Sequence, residues 1–567
     1  MSTTPTAEAP FSSHFTPLIQ SGAPFEMIEH EGIRRFKHAP TSLTALLHRA
    51  RPEALGQTFI EWLDRSISFE SFFQQSEQLA AWMLEQGLER GDRVCIAMRN
   101  RPEWLIAAWA SILAGGVAAP LNSWGRREEL EHGLSVAKPR FVFVDHPRCA
   151  LVSAGAGALG AKVVVVSQVE GREPPCDLGG LAATPFDPLV SGERHWQPLE
   201  LVPTDYAVLL FTSGTTSKPK AAVSTHEAVV QSLMNIQLNA ALSGMKSPEQ
   251  VKAIMSSGFA PAALVAVPFF HVSGFHALFL FGLASQRKLV LAWKWDIQEI
   301  VSLLENKRVT QINGSPAMMR ELLQSDAFRS ADKSSLAALG LGGAAAPPSL
   351  LDDMRALLPL GMMGIGYGAT ETNGLGAQTS GQPFLSRPQA SGYVSPLADI
   401  RMRDSEGRVL PMGATGEIEI RSVANMVGYW DEDARAPIPL EDRWYITGDV
   451  GFVDPDGYLH IVDRVKDIVN RGGEKVSCAE VEAALLLLPG VRDAVVMPLP
   501  DPIKGEVVGA VIVVDSPESV SPHDLHAQLT ERIAHFKVPE RWQITAQPVA
   551  RTPSGKPIKS ALRDGFR

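Results

Sequence analysis

Cysteine is scarce here: 567 residues include only Cys95, Cys149, Cys176 and Cys478, far apart and without a CxxC pair. That spacing argues against a disulfide framework and against a zinc cluster, and a reducing compartment is the expectation. Long runs of one charge are missing too. Lys and Arg number 52 against 62 Asp and Glu, a net charge of −10 with no basic tract, which sets nucleic acid aside as a partner. The N-terminal MSTTPTAEAPF lacks a basic start and an apolar run and carries Glu8, so no export or import signal is expected and the reading is cytoplasmic. One stretch, Ala253 to Gln286, has no Asp, Glu, Lys or Arg and is long enough to span a bilayer. Pro261, Pro268, His271, Ser273, Gly274 and His276 interrupt it, so it is expected to divide into a strand, a polar turn and a buried helix, not a transmembrane segment.

What is present describes a large folded protein. Apolar residues make up 45% and charged residues 20%, enough to bury a core, and the length suggests three to four folding units. From Phe72 to Asp145 helices and strands alternate. An amphipathic helix carrying Leu79, Trp82 and Met83 stops at Gly87, strand Val94 to Met98 follows, and a helix starts with Asn100 as expected N-cap and Pro102 in its first turn. Strands Val117 to Leu121 and Phe141 to Val144 complete a doubly wound parallel sheet. The same grammar returns from Glu227 to Gly366, with strands near Leu264 to Val267, Lys288 to Leu291, Val309 to Ile312 and Met362 to Ile365, which predicts a second such sheet. Between Ser391 and Asp463 short alternating strands separated by turns such as Asp454-Pro455-Asp456-Gly457 predict a small antiparallel, barrel-like β unit. After the charged stretch Arg464 to Asp467, read as a linker, mixed α and β character resumes. The predicted class is therefore α/β: a large N-terminal domain of two doubly wound sheets plus a small β unit, then a small α+β C-terminal domain.

The sharpest local signal is Phe211-Thr-Ser-Gly-Thr-Thr-Ser-Lys-Pro-Lys220, with five hydroxyl residues, a glycine and two lysines after the apolar strand Ala207 to Leu210. Backbone N–H groups, hydroxyls and flexible ammonium groups together suit a phosphate. The loop is not a Walker A motif, because GxxxxGK[ST] is absent. Two decoys are discounted. Gly155-Ala-Gly-Ala-Leu-Gly160 satisfies GxGxxG but precedes its strand, and Pro219 forbids the helix that a Ser217-x-x-Lys220 nucleophile motif requires.

This loop resembles the TSGTTxxPK signature of the adenylate-forming superfamily, which includes acyl-CoA synthetases, luciferases and peptide-synthetase adenylation domains. Four further motifs follow in the family's order: Gly366-Tyr-Gly-Ala-Thr-Glu371, Trp444-Tyr-Ile-Thr-Gly-Asp449, Asp463-Arg464-Val-Lys466-Asp467 and Pro553-Ser-Gly-Lys556. The resemblance runs from about Leu43 to Lys559. It implies an ATP-dependent acid–thiol ligase: a carboxylate attacks the α-phosphate, pyrophosphate leaves, and a thiol captures the acyl-adenylate.

By the same resemblance Thr212, Ser213, Gly214, Thr215, Thr216 and Lys220 hold the β- and γ-phosphates, Thr370 meets the α-phosphate and Glu371 ligates Mg²⁺. Tyr367 stacks on adenine beside Gly343 and Ala344, and Asp449 and Arg464 take the ribose. Lys556 bridges the substrate carboxylate and the α-phosphate, His271 stands near the reacting carboxylate, and Gly472 and Gly473 border the tunnel for the CoA pantetheine. The expected domains are residues 1–463 and 467–567, joined by a hinge at 464–466 about which the second turns between half-reactions. Ser217, Ala221, Cys478 and Asn470 depart from the usual pattern. Amino-acid-activating relatives carry an Asp near the segment Phe269 to Gly274, which has no acid here, so an amino acid is disfavoured. The apolar neighbourhood Val267, Phe269, Phe270, Val272 and Phe275 suggests a hydrophobic acid, with medium or long fatty acids as the best fit and cyclic, aryl or terpenoid acids open. A carrier-protein phosphopantetheine as acceptor, or a non-catalytic nucleotide-binding scaffold, are the alternatives. Many members of the superfamily are homodimers, and no local feature decides the oligomeric state.

Overall fold

A computed structural model describes residues 13–54, 56–212, 218–343, 347–431, 433–552 and 556–566. The first sheet has nine described strands. Six run parallel in the order Tyr206–Thr212, Val117–Pro120, Arg93–Ala97, Phe141–Val144, Lys162–Val165 and Ala183–Pro185. Lys220–Thr225, Gly428–Asp431 and Ala436–Pro439 extend it antiparallel. The second sheet has thirteen described strands. Its parallel centre is Met362–Gly368, Ala338–Gly342, Gln311–Gly314, Ala262–Val265, Lys288–Leu291 and Thr58–Trp62.

The antiparallel strands expected between Ser391 and Asp463 are present. They are hydrogen-bonded onto the second sheet, since Gly392–Val394 pairs with Gly376–Ser380 on one side and Tyr458–Arg464 on the other. A smaller α+β unit follows. Ile468–Arg471, Glu474–Ser477, Val491–Asp501, Gly505–Val514 and Arg541–Thr545 form its sheet, packed with helices Cys478–Leu485 and Pro522–Thr530. The stretch read as a linker is a single 3-10 turn, Val465–Asp467.

Helix Pro102–Leu113 explains how the two large sheets are joined. All of its residues are buried, and its apolar side chains share one core with strands of both sheets. A helix apolar on every side has to lie between layers. Helix Phe69–Glu85, capped by the Ser68 hydroxyl accepting from Ser71 N–H at 3.1 Å, packs beside it with Leu79, Trp82 and Met83 buried. The apolar stretch from Ala253 resolves into strand Ala262–Val265, a turn and the helical run Val272–Ala284. Among the described residues no helix is long and apolar enough to cross a membrane.

Two expectations are corrected. Cys149 and Cys176 form a disulfide across 27 residues, because the helix beginning at Cys149 and the loop after strand Lys162–Val165 return to one edge of the first sheet. Sequence spacing cannot show that return, and the cysteine pattern therefore no longer argues for a reducing compartment. Asn100 is not the N-cap of helix Pro102–Leu113. Arg101 holds that position without a capping side-chain bond, and Asn100 is engaged elsewhere.

Two histidines tie the core to pH. His226 and His276 are each 1% exposed, and burial pushes both down to about 4. His226 Nδ1 also accepts from Leu43 N–H at 3.2 Å, a bond that protonation removes. Between the unfolded value of 6.5 and about 4 the folded chain binds fewer protons than the unfolded chain, so stability falls as pH falls through that window. The loss approaches roughly 3 kcal/mol per histidine. Urea unfolding midpoints at pH 7.5, 6 and 5 are expected to drop accordingly, less steeply in His226→Gln. An identical pH slope in that variant refutes the assignment.

Candidate active site

In doubly wound sheets ligands bind beyond the carboxyl ends of the strands. Gly342, the end of its strand, lies in parallel register beside Gly366, two residues before the end of the next. A Cβ on Gly366 would meet nothing within 4 Å, and one on Gly342 would meet only the Gly366 carbonyl at 3.8 Å. The glycines therefore floor an open chamber. At its rim Gly343 has φ +80°, and Lys556 Cε lies 4.0 Å from where a Cβ on Gly343 would stand. Lys556 is fixed by its own backbone, which donates to Thr552 Oγ1 at 3.1 Å and accepts from Thr552 N–H at 2.7 Å.

Beyond Gly368 the chain makes the 3-10 turn Thr370–Thr372, closed by Ala369 N–H donating to Thr372 Oγ1 at 3.1 Å. Glu371 is 7% exposed, and its Oε1 accepts from the Tyr429 phenol at 2.8 Å. Burial and the adjoining Glu371 push the Tyr429 and Tyr445 phenols up, so both remain donors. Lys220, opposite Thr212 in the antiparallel pair, holds its ammonium 5.0 Å from the centre of the Tyr429 ring. Thr212 Oγ1 is buried and has no partner among the described residues.

A second carboxylate sits nearby. Asp449, 8% exposed, accepts from the Tyr367 phenol at 2.7 Å and from Arg464 Nε at 2.9 Å. Lys556 is held below the usual lysine range by loss of bulk water and by Arg464 and Lys466, while Asp449 and Glu371 pull the other way. His271, half-buried, is pushed down to about 4 by burial and then by Lys556. It is neutral at physiological pH.

The structure thus brings together Lys556, Glu371, Asp449, Arg464, Tyr367, His271 and Gly343, with Thr370 adjoining Glu371 and with Thr212 and Lys220 reached through Tyr429. Gly472 and Gly473 are elsewhere, in the turn between Ile468–Arg471 and Glu474–Ser477, with Gly472 N–H donating to Lys504 carbonyl at 2.9 Å. Ser213, Gly214, Thr215, Thr216 and Ala344 lie outside the described residues. Three residues escaped the sequence reading. Tyr429 and Tyr445 reach Glu371 from 58 and 74 positions away; no motif surrounds Tyr429, and Tyr445 lies inside Trp444-Tyr-Ile-Thr-Gly-Asp449 without having been singled out. Asn100, from the end of a first-sheet strand, donates through Nδ2 to Val267 carbonyl at 2.8 Å and accepts at Oδ1 from Phe269 N–H at 3.0 Å. That amide straddles Pro268 and fixes the turn leading to His271.

The sequence model described as AMP-binding enzyme matches residues 46–430, and that of the AMP-binding enzyme C-terminal domain matches residues 480–556. The chain belongs to the AMP-binding enzyme family. It is similar to a feruloyl-CoA synthase of Amycolatopsis, 31% identical over 88% of this chain and 94% of the relative. A fatty acid–[acyl-carrier-protein] ligase of Streptomyces coeruleorubidus is 30% identical over 88% and 92%. Among solved structures, ATP-bound MatB from Rhodopseudomonas palustris superposes with a TM-score of 0.78 at 25% identity, covering 93% of this chain and 99% of that one. This member of the family is an AMP-forming acid–thiol ligase of mixed α/β fold.

The Asn100 bridge has a measurable consequence. Asn100→Ala leaves the Val267 carbonyl and the Phe269 N–H unpaired in a buried turn, at a cost of about 2 kcal/mol. Thermal unfolding is expected to show that loss, and the KM for the acid is expected to rise more than the KM for ATP. Equal changes in both KM values would show that Asn100 does not position the His271 turn.

Proposed function

We propose that this ligase activates a carboxylic acid with an apolar body through acyl-AMP and passes the acyl group to CoA. Medium- and long-chain fatty acids are the first class to assay. The observation that carries this reading is Lys556, which comes from the C-terminal end of the chain and yet stands at Gly343, between the Glu371 and Asp449 carboxylates and His271.

The obstacle in the first half-reaction is charge, since an anionic carboxylate has to approach a polyanion. A carboxylate oxygen bonds to the α-phosphorus of ATP while the bond to pyrophosphate breaks. Lys556 is placed to neutralise both the carboxylate and the α-phosphate, and the protein around its ammonium together with Arg464 lowers its affinity for a proton. Neutral His271 offers a hydrogen bond at the carboxylate without adding a second cation. Asp449 presents acceptor oxygens matched to a vicinal diol, with Tyr367 and Arg464 fixing its plane.

Glu371 suits a hard divalent cation: one carboxylate oriented by a phenol, with the remaining ligands supplied by phosphate oxygens and water, the pattern Mg²⁺ favours. That ion would offset phosphate charge when bound. Lys220 and the hydroxyl loop beside it serve the outer phosphates. In the second half-reaction the thiol sulfur bonds to the acyl carbon and AMP departs. The space Lys556 occupies has to be cleared for that thiol, which is the reason to assign residues 467–567 as a unit turning about 464–466, bringing Gly472 and Gly473 toward the chamber.

Removing the lysine separates the half-reactions. Lys556→Ala is expected to slow ATP–pyrophosphate exchange on the order of 10²- to 10³-fold, while CoA thioester formation from supplied acyl-AMP stays within a few-fold of the parent. Equal loss of both overturns the two-position account. Exchange that CoA never accelerates would favour a carrier-protein acceptor.

A further inference from the structure

Central strands of a doubly wound sheet are normally buried on both faces. On strands Gln311–Gly314 and Ala338–Gly342 of the second sheet one face is not. Ile312, Leu339 and Leu341 are buried, whereas Gln311, Asn313, Ala338, Gly340 and Gly342 remain half-buried on the opposite side. Register places Gln311 beside Ala338, Asn313 beside Gly340, and Gly342 beside Gly366, so this accessible face runs straight back from the floor of the reaction chamber.

That face is polar. Arg287 donates through Nη1 to Gln311 Oε1, and Gln311 Nε2 donates to Asn313 Oδ1 at 3.0 Å. Asn313 lies over Gly340, where a Cβ would collide with its side-chain amide. Arg287 has no carboxylate partner among the described residues, and burial alone lowers its proton affinity. An arginine has only donors, so Gln311 must turn its oxygen toward it and its nitrogen toward Asn313. Asn313 then turns its oxygen to Gln311, which leaves the Nδ2 donors without a partner among the described residues. The orientation of both amides follows from one cation at the end of the row.

We propose that Arg287, Gln311 and Asn313 form a relay that presents a polarised N–H donor to the acyl chamber, and that the preferred acid carries an accepting oxygen, such as an oxo or ether group, beyond its carboxylate. This rests on the ligase reading above and names the substrate class within it. Asn313 would touch the substrate, and Gln311 and Arg287 are positioning residues. Aligned hydrogen bonds strengthen one another in a low-dielectric interior, and an N–H left facing a purely alkyl chain goes unpaired. A plain alkanoate is thereby disfavoured.

The test compares matched acids: decanoate against oxodecanoates with the oxo group stepped along the chain, and cinnamate against 4-methoxycinnamate. In the parent, kcat/KM for the best oxygenated acid is expected to exceed its partner on the order of 10- to 100-fold. Asn313→Leu removes the preference. Asn313→Asp still accepts from Gln311 but offers no donor, so it turns selection from the oxo acid to the corresponding hydroxy acid, a reversal that a merely structural residue would not produce. Arg287→Met frees Gln311 to flip and lowers the oxo/alkyl ratio. Equal use of both members of each pair by the parent, or an unchanged ratio in Asn313→Leu, overturns the relay. If no acid supports exchange, the ligase reading fails instead. Calorimetry with decanoyl- and oxodecanoyl-sulfamoyladenosine then decides the relay: equal affinities overturn it, and tighter binding of the oxo form sustains it.

Discussion

Everything in the cleft depends on holding two nearly buried carboxylates beside a set of cations. Glu371 and Asp449 each expose less than a tenth of their surface. Carboxylates so far from water are tolerated only when donors replace the water. Tyr429 does this for Glu371, and Tyr367 with Arg464 does it for Asp449. The phenols are the economical choice, because burial and the carboxylates themselves push their ionisation up and keep them donors. With the carboxylates fixed, Arg464 pairs directly with Asp449, while Lys556 stands at Gly343 and Lys220 at the Tyr429 ring.

The two sheets supply the positions, and the joint between them matters as much as either. Helix Pro102–Leu113 is shared by both cores, and the two residues before it do different work. Asn100 bonds on either side of Pro268 and so links a strand end of the first sheet to the His271 turn of the second. Arg101, 2% exposed, pairs with Glu103 at 2.7 Å, accompanies Glu173 at 3.4 Å and donates to Ser167 carbonyl at 2.8 Å. One short segment thus anchors the site on one side and an outer loop on the other. Gly274 completes the turn, because any side chain there would run into the Pro268 carbonyl.

The parallel strands were legible because buried strands write continuous apolar runs, and Phe141–Val144 and Lys288–Leu291 match their expected bounds. The ordered motifs were legible because they keep fixed residue types in a fixed order along the chain, and the family they resemble is the one whose sequence models match. What stayed hidden was created by folding. Asn100 reads as a cap because Asn before Pro at a helix start usually is one, yet its amide found better partners across the sheet joint. Cys149 and Cys176 look unrelated until the chain doubles back. Tyr429 and the row Arg287, Gln311, Asn313 carry no local pattern, and nothing in the motif around Tyr445 names Glu371 as its partner. The polar row is also masked by its place in the chain: the expected strand Val309 to Ile312 stops short of Asn313, whereas the observed one is Gln311–Gly314.

The C-terminal lysine and the joint that carries it are one mechanical unit. Lys559, three residues beyond Lys556, pairs with Asp467 at 2.9 Å and lies 3.9 Å from Glu482. Burial pushes the Glu482 carboxyl up to about 7 against the pull of Lys559, and Glu482 and Asp467 both raise the proton affinity of that lysine. Asp463, at the end of the last strand of the large sheet, accepts from Ser477 Oγ at 2.8 Å and from Ala479 N–H at 3.0 Å, capping helix Cys478–Leu485 from outside the smaller unit. The proposed turn about residues 464–466 would exchange those two bonds, and the 3.2 Å bond from Ser477 Oγ to the Val462 carbonyl, for others, whereas the Lys559 to Asp467 pair can travel intact. Bonds of this kind have modest net strength. On the two-position proposal, a lysine that both arrives and leaves needs a joint of that size: strong enough to define its place, weak enough to be undone by the binding of a ligand.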